Sequence, residues 1–425
     1  MQAILGLILI PCFALVLSVR RQHIPIKTSL YAVLLQAVLA VMMLFVPPLR
    51  ALLNLLSQSV SVLQSASDAG AQFMFGFLAG GVTPYEVVNP SANFVVAFRV
   101  LPLILLISVL SAVLFHWNIL PRIIQAFSWV LQRTLKLSGV LGFAAASSVF
   151  MGIIESPVLI KPYLKRISSS DLFALMTCGM STVAGTVMVL YASLVETSIP
   201  DALTHILVAS VMSVPAAILI AQIMVPPNPE EATSDHQEQA TLTYTSSSSN
   251  TMEAALKGLN DGIKMVVSIA AILVVLFALV HLVNQGLAWI PSWDQERPMS
   301  LGLVLGQVMR PVMWIIGIPW SETGVAGELM ATKTLLNEFV AYQQLSTLAD
   351  GALSESSRKT MLYAMCGFAN LGSLGILSGG LGAIVPERQA EITSLAARAV
   401  VSGTLTTLMT GAMVHLIFQA QSLVS

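Results

Sequence analysis

The chain has 425 residues, of which 56% are hydrophobic and only 10% are charged, and its mean hydropathy is +0.83. Soluble domains carry about 25% charged residues, so this composition excludes an ordinary soluble protein and predicts an all-α polytopic membrane protein. The net charge of −1 gives no basis for a nucleic-acid partner. The cysteines Cys12, Cys178 and Cys366 have no metal-ligand spacing, and we interpret them as apolar packing residues.

Apolar segments of about 20 residues, the length that crosses a bilayer, predict eight membrane spans. They lie at residues 2–19, 28–47, 93–115, 170–192, 203–225, 263–288, 357–380 and 398–420. The first is interpreted as a retained span, because its positive charges, Arg20 and Arg21, follow it instead of preceding it. Under the positive-inside rule these charges place the first loop in the cytoplasm, and both termini are then expected outside it.

Three segments lie outside these spans. Residues 51–80 predict an amphipathic helix followed by a Gly-rich turn. Residues 117–137 predict a helix that lies either in the membrane interface or on the cytoplasmic surface of the protein, and the sequence leaves both open. Residues 226–252 are rich in Ser, Thr and Pro and predict a disordered cytoplasmic linker.

Two further segments, 138–166 and 324–350, are moderately apolar and carry Glu155 and Glu338 about midway. Counting either segment as a full span would place the charged loops that follow on the wrong side of the membrane. Each is therefore predicted to be a re-entrant hairpin, which is tolerated only where protein or water surrounds it. The first hairpin opens from the inside and the second from the outside. This opposition predicts an inverted repeat, an architecture that places solute and ion sites at the membrane midplane.

The expected organisation follows from that repeat. Residues 1–92 are N-terminal spans and scaffold, 93–225 are the first half of the repeat, 226–252 are the linker, and 253–425 are the second half with the C-terminal spans.

Glu155 and Glu338 are the main candidates for function. A charged side chain near the bilayer centre costs about 2.5–3.5 kcal/mol even on lenient scales, and Pro157 prevents a regular helix from continuing past Glu155. Either carboxylate could accept hydrogen bonds from hydroxyl groups or take up a proton. The competing interpretation is a structural ion pair with Lys161 or Lys333.

Other polar residues occur in the spans that follow the two hairpins. Asn337, Asn370 and Ser373 are neutral donors and acceptors that suit a polyhydroxy solute, or they join helices to each other. Thr182 and Val183 lie in a Gly/Thr-rich stretch that could unwind and offer carbonyl groups to a cation, or simply allow close packing.

Several mechanisms lack their motifs in this sequence. The histidines have no metal-ligand spacing, and there is no phosphate-binding G-x-x-x-x-G-K-[ST] loop, H-E-x-x-H or G-x-S-x-G. A membrane-embedded enzyme with Glu155 and Glu338 as an acid/base pair remains an alternative, as does a passive channel.

Four motifs resemble the concentrative nucleoside transporter family, over essentially the whole chain. They are Gly152, Glu155 and Pro157 ahead of Lys161-Pro162-Tyr163; T-V-A-G-T-V at 182–187; Lys333 with N-E-F-V-A-Y at 337–342; and C-G-F-A-N at 366–370 with Ser373. The resemblance implies a homotrimer in the lipid bilayer of the bacterial cytoplasmic (inner) membrane. It also implies eight spans, a transport subdomain that moves against a scaffold, and nucleoside uptake driven by H+ or Na+ with no other cofactor.

The resemblance also assigns substrate-binding roles. Glu338, Asn370 and Ser373 match ribose-binding positions, and Phe368 matches a residue at the ribose end. Glu155 matches a carboxylate on the base side, and Val187 matches an apolar contact to the base.

Two departures from the family pattern bear on specificity and coupling. Ile153 and Ile154 replace a polar pair, so the base side gains an apolar lining and the base preference stays open, as does another ribosyl solute. Ser148 replaces the Asn that ligates sodium in sodium-coupled members, although the carbonyls of Thr182 and Val183 remain available for a cation site. The sequence therefore favours a proton-coupled nucleoside importer over a sodium-coupled one.

Overall fold

The computed structural model describes residues 2–21, 26–87, 95–228, 248–293 and 297–424. Within these ranges the chain forms helices and no strand. The helices are α1 Gln2–Val16, α2 Ile26–Phe45, α3 Pro47–Phe75, α4 Val96–Arg99, α5 Pro102–His116, α6 Ile119–Leu135, α7 Gly139–Ser147, α8 Glu155–Leu159, α9 Ser169–Ser181, α10 Gly185–Val195, α11 Ala202–Met224, α12 Thr251–Leu287, α13 Leu301–Ile315, α14 Thr323–Leu335, α15 Glu338–Ser346, α16 Glu355–Met365, α17 Leu371–Ile376, α18 Gly382–Ile384 and α19 Gln389–Val424. A single π-helical turn, Leu377–Leu381, joins α17 to α18.

Many of these helices are long and apolar enough to cross a membrane. Among the described residues, six stretches meet that criterion: Thr28–Phe45, Val96–His116, Ser169–Val195, Ala202–Met224, Thr251–Leu287 and Pro386–Gln421. Three shorter apolar helices, Gln2–Val16, Leu301–Ile315 and Leu371–Ile384, accompany them. The all-helical polytopic membrane fold is confirmed, and the count of eight spans stays a prediction.

Two elements differ from the sequence prediction. Helix α13 was not predicted, because its 15 residues are too few for a span and are interrupted by Arg310 and Pro311. Helix α12 begins at Thr251, inside the predicted linker, because Asn250 caps it: its Oδ1 accepts the Glu253 N–H at 2.9 Å. The rest of the linker prediction falls largely on residues 229–247, which lie outside the described residues.

The first predicted hairpin is formed by α7, the non-helical residues 148–154 and α8. The Ser156 hydroxyl donates to the Ala144 carbonyl at 2.7 Å, so the second arm lies against the first. At the open end, Ser138 Oγ donates to Asp171 Oδ2 at 3.2 Å, which joins the start of the hairpin to the start of α9. The chain therefore enters and leaves this hairpin at the same end.

The second hairpin, α14 and α15, has the same construction. The Glu322 carboxylate accepts from the backbone N–H of Ser354 at 3.2 Å and from its hydroxyl at 3.1 Å, joining the hairpin start to the start of α16. An arginine also holds each exit loop. Arg388 donates to the Leu164 and Ile167 carbonyls at 2.9 and 2.7 Å, and Arg358 donates to the Leu348, Ala349 and Leu353 carbonyls at 3.0–3.4 Å.

The helix after each hairpin is broken, as the small and polar residues predicted. Residues 182–184 separate α9 from α10, and residues 366–370 separate α16 from α17. Thr182 is extended, with φ −117° and ψ 169°, so the helix cannot pass through it. These breaks put helix ends, with their free backbone groups, beside the hairpin turns.

Helices α13 and α14 cross at two glycines. A Cβ on Gly327 would overlap the carbonyl oxygen of Gly306, whereas a Cβ on Gly324 would meet nothing within 4 Å. The α13–α14 pair carries the second hairpin, so this crossing fixes the position of its first arm.

We expect Gly327→Ala to lower the unfolding temperature of the purified protein, because overpacking a close contact costs about 1–3 kcal/mol. The matched control is Gly324→Ala on the same helix, which should keep or slightly raise the unfolding temperature, since Ala favours helix over Gly. Thermal unfolding in detergent measures both variants. Equal unfolding temperatures would contradict the close crossing.

Candidate functional site

Glu338 lies at the first residue of α15, directly after the turn of the second hairpin, and only 3% of it is exposed. The Tyr191 hydroxyl donates to Glu338 Oε1 at 2.6 Å, and Asn370 Nδ2 donates to Oε2 at 3.0 Å. A carboxylate has about four acceptor positions, so these two donors leave capacity for hydroxyl groups of a solute. The positive end of the α15 dipole also favours a negative charge here.

Asn370 is held by the helix that it caps. Its Oδ1 accepts the Ser373 backbone N–H at 2.9 Å and the Ser373 hydroxyl at 3.1 Å. Because Oδ1 faces Ser373, the Nδ2 group must point to Glu338. The break at 366–370 thus orients an amide donor toward the buried carboxylate.

Two neighbouring residues stabilise the hairpin turn. Asn337 caps α15 by accepting the Val340 N–H at 3.0 Å. Lys333 is fully buried, and its ammonium group donates to the Ala369 carbonyl at 2.8 Å. Lys333 therefore joins the first arm of the hairpin to the broken segment that carries Asn370, and its contact with Glu338 is electrostatic at longer range.

A cavity of about 110 Å3, called the inner cavity below, lies beside Glu338, Asn370 and Ser373. Five of the six residues predicted to bind substrate line it: Val187, Glu338, Phe368, Asn370 and Ser373. Several other lining residues were not selected in the sequence analysis, among them Tyr191, Ile269, Ile272 and Leu336. Tyr191 lies one helical turn after Val187 on α10, so the helical period was the available signal for it.

Glu155 occupies a different environment. It begins α8, and its carboxylate folds back over Gly152, where backbone N–H groups of the same turn donate to it. Its residue is exposed, it does not line the inner cavity, and Asp261 of α12 acts on it electrostatically. Glu155 and Glu338 therefore do not share a cavity as an acid/base pair would.

Ile153 and Ile154 also lie outside the lining of the inner cavity. Ile153 is buried, and its Cγ1 lies 3.4 Å from the position of a Cβ on Gly179 of α9. Ile154 fills the space beside Gly380 in the π-helical turn, where a Cβ would overlap its side chain. In this structure both isoleucines pack the first hairpin onto neighbouring helices.

Ser148, Thr182 and Val183 are brought together at the first hairpin and the break after α9, and all three are buried. Thr182 Oγ1 donates to the Ser148 carbonyl at 2.9 Å and to the Cys178 carbonyl at 2.8 Å. Ser148 Oγ donates to the Ala145 carbonyl at 2.7 Å. Both hydroxyl protons are thus committed to backbone carbonyls, one of which belongs to Ser148 itself.

Three family models match the chain. They are described as Na+ dependent nucleoside transporter N-terminus, over residues 5–78; nucleoside recognition, over residues 97–198; and Na+ dependent nucleoside transporter C-terminus, over residues 205–415. Together they cover both hairpins and every residue that lines the inner cavity.

Individual relatives agree with these models. The chain is 34% identical to the nucleoside permease NupC of Helicobacter pylori, over 96% of this chain and 95% of that protein. It is 31% identical to the putative nucleoside permease NupX of Escherichia coli, over 96% of each. A solved structure of CNTnw in an inward-facing substrate-bound state is 32% identical, covers 99% of this chain and 98% of that one, and superposes with a TM-score of 0.85.

The fold, the buried carboxylate at the hairpin turn and these similarities agree, and the enzyme alternative has no support among the relatives. The chain is a member of the concentrative nucleoside transporter family.

Proposed function

We propose that the chain is a secondary active transporter that imports nucleosides by symport with protons. The observation that carries this proposal is Glu338, a buried carboxylate with two neutral donors and spare acceptor capacity at the edge of the inner cavity. In this proposal Glu338, Asn370 and Ser373 hold the ribose, because vicinal hydroxyls need a strong acceptor beside neutral donors and acceptors.

The proposed base end is apolar. Val187, Ile269 and Ile272 line the inner cavity. Ile153 and Ile154, which replace the family's polar pair, do not line it. An apolar pocket discriminates poorly between solutes of similar shape, so selection falls on the sugar more than on the base. The inner cavity, at about 110 Å3, is smaller than ligand pockets of about 300–1,000 Å3, so binding requires the surrounding helices to separate.

Proton coupling is supported by the contacts of Ser148. A serine hydroxyl offers a cation less reach than an amide, and the Ser148 carbonyl already accepts from Thr182. The sodium-coupled alternative has support in the family description, in the extended backbone at Thr182 and in the non-helical residue Val183. Glu155, exposed at the first hairpin turn, is placed at the coupling end in our proposal.

We expect Glu338→Gln to reduce nucleoside uptake by about 10-fold to 150-fold, since a hydrogen bond to a charged group contributes about 1.5–3 kcal/mol. The amide nitrogen of the introduced glutamine would also face a hydrogen-bond donor, either the Tyr191 hydroxyl or the Asn370 amide, and it cannot accept from either. Glu355→Gln is the matched control, because the Glu355 side chain is 82% exposed, and it should transport normally. Retained uptake by folded Glu338→Gln protein would refute the ribose assignment.

Uptake of a labelled nucleoside panel into proteoliposomes tests the coupling ion and the base preference together. With an inward proton gradient alone, we expect accumulation of both purine and pyrimidine nucleosides. A sodium gradient alone should give none. Accumulation with sodium only would instead favour a cation site at Ser148, Thr182 and Val183, and no uptake under either gradient would point to another ribosyl solute.

We also propose a homotrimer in the bacterial cytoplasmic membrane with both termini outside, and a scaffold that is separate from the moving half-repeats. Support comes from α12, whose most apolar stretch is unburied within one chain, with Val267 and Val274 62% and 71% exposed.

Native mass measurement should give three times 45.3 kDa, and impermeant labelling of Gln2→Cys on intact cells should succeed. A monomeric mass would refute the trimer.

A further inference from the structure

A second, larger cavity lies beside the inner one. It measures about 740 Å3 and is called the outer cavity below. Four helices contribute its principal polar side chains: Gln64 and Asp68 of α3, Arg99 of α4, Ser193 of α10, and Gln343 and Ser346 of α15. Neither the sequence analysis nor the proposed function gives these residues a role.

The residues of α3 have an unusual distribution. Gln64, Asp68 and Gln72 recur every four residues, so they share one helix face, and that face lines the outer cavity. Apolar residues of the same helix are exposed instead, with Val62 at 68% and Phe73 at 93%. The protein-facing side of α3 thus carries half-buried Gln64 and Asp68 beside buried Leu53 and Val60, and polar groups on such a face are typical of a helix that lines a water-filled path in a membrane protein.

The outer cavity lies further along two helices that also line the inner cavity. On α10, Leu190 and Tyr191 line the inner cavity, and Ser193 lines the outer one. On α15, Glu338 lines the inner cavity and Gln343 the outer one, five residues or about 7.5 Å further along the helix. Both helices run outward in the predicted orientation. In that orientation a solute that arrives from outside reaches the outer cavity first and the inner cavity second.

The charges of the outer cavity balance. The Arg99 guanidinium acts electrostatically on the Asp68 carboxylate, and no other described residue of the cavity lining carries a charge. Gly80, at φ +91°, makes room for that guanidinium, since a Cβ there would lie 3.2 Å from Arg99 Cζ. The remaining polar groups are amides and hydroxyls, which suit a neutral solute with many hydrogen-bonding groups.

The size of the outer cavity fits such a solute. Its volume of about 740 Å3 falls within the usual range of ligand pockets, about 300–1,000 Å3, whereas the inner cavity falls below it. Amide side chains can pair with the edge of a nucleobase, and a carboxylate can accept from ribose hydroxyls. The outer cavity is therefore large enough to hold a whole nucleoside.

We infer that the outer cavity is an encounter site that binds an incoming nucleoside before the inner cavity opens to it. Asp68 accepts from the sugar hydroxyls, and the amides of Gln64 and Gln343 contact the base. The inference rests on the proposed function, because it takes the same solute and adds a first binding step on the outer side.

Uptake kinetics with labelled uridine and adenosine in intact cells test this step. We expect Asp68→Asn and Gln343→Leu each to raise the KM for uptake by about fivefold, the effect of one hydrogen bond, with the maximal rate within twofold of the unsubstituted protein. Exit of nucleoside from preloaded cells should keep its KM, because a solute that leaves meets the inner cavity first.

Matched controls are available for both variants. Gln344→Leu repeats the substitution at the next residue, which is exposed and does not line the outer cavity. Asp201→Asn removes an exposed acid at φ +57°, a backbone conformation that Asn tolerates. Both control variants should keep the KM of the unsubstituted protein.

An unchanged KM for uptake in both Asp68→Asn and Gln343→Leu would overturn the encounter site, as would a lower maximal rate with an unchanged KM. Either result leaves the proposed function intact if Glu338→Gln still loses uptake. Absence of nucleoside uptake by the unsubstituted protein would instead refute the proposed function itself, so the two failures are distinguishable.

Discussion

The buried carboxylate of Glu338 is the constraint on which the rest of the structure depends. A carboxylate in so apolar a chain needs hydrogen-bond donors at the same depth, and here they come from Tyr191 and Asn370. The amide donor comes from Asn370, which ends the break at 366–370 and caps the next helix. Lys333 then joins the hairpin to that break through the Ala369 carbonyl, which ties the turn to the broken helix.

The two halves of the repeat share their construction but not their chemistry. A side-chain hydrogen bond closes the base of each hairpin, Ser138 to Asp171 and Ser354 to Glu322, and an arginine holds each exit loop. Yet the first carboxylate, Glu155, is satisfied by its own turn, whereas the second faces the inner cavity. The symmetry thus positions two hairpin turns, and local contacts decide which turn is available to a solute.

Helices α10 and α15 contribute lining residues to both the inner and the outer cavity. Each carries residues of the inner cavity on one turn and residues of the outer cavity on the next. A displacement of these helices therefore changes both cavities together, whereas Gln64 and Asp68 belong to α3 and α12 contributes only to the inner cavity. In our proposal the solute path therefore has one wall formed by the hairpins and another formed by helices outside them.

The sequence by itself determined the membrane class, both hairpins, the two broken helices and five residues of the inner cavity. Most of these features are local: apolar length, a charge inside an apolar run, and polar residues such as Asn337 and Asn370 are readable within one element, whereas the role of Val187 came from the family resemblance. Only the tertiary structure decided that Tyr191 contacts Glu338, which is 147 residues away, and that Ile153 and Ile154 pack on Gly179 and Gly380. Helical periodicity shows which face of an element is apolar or polar, but not which distant face it meets.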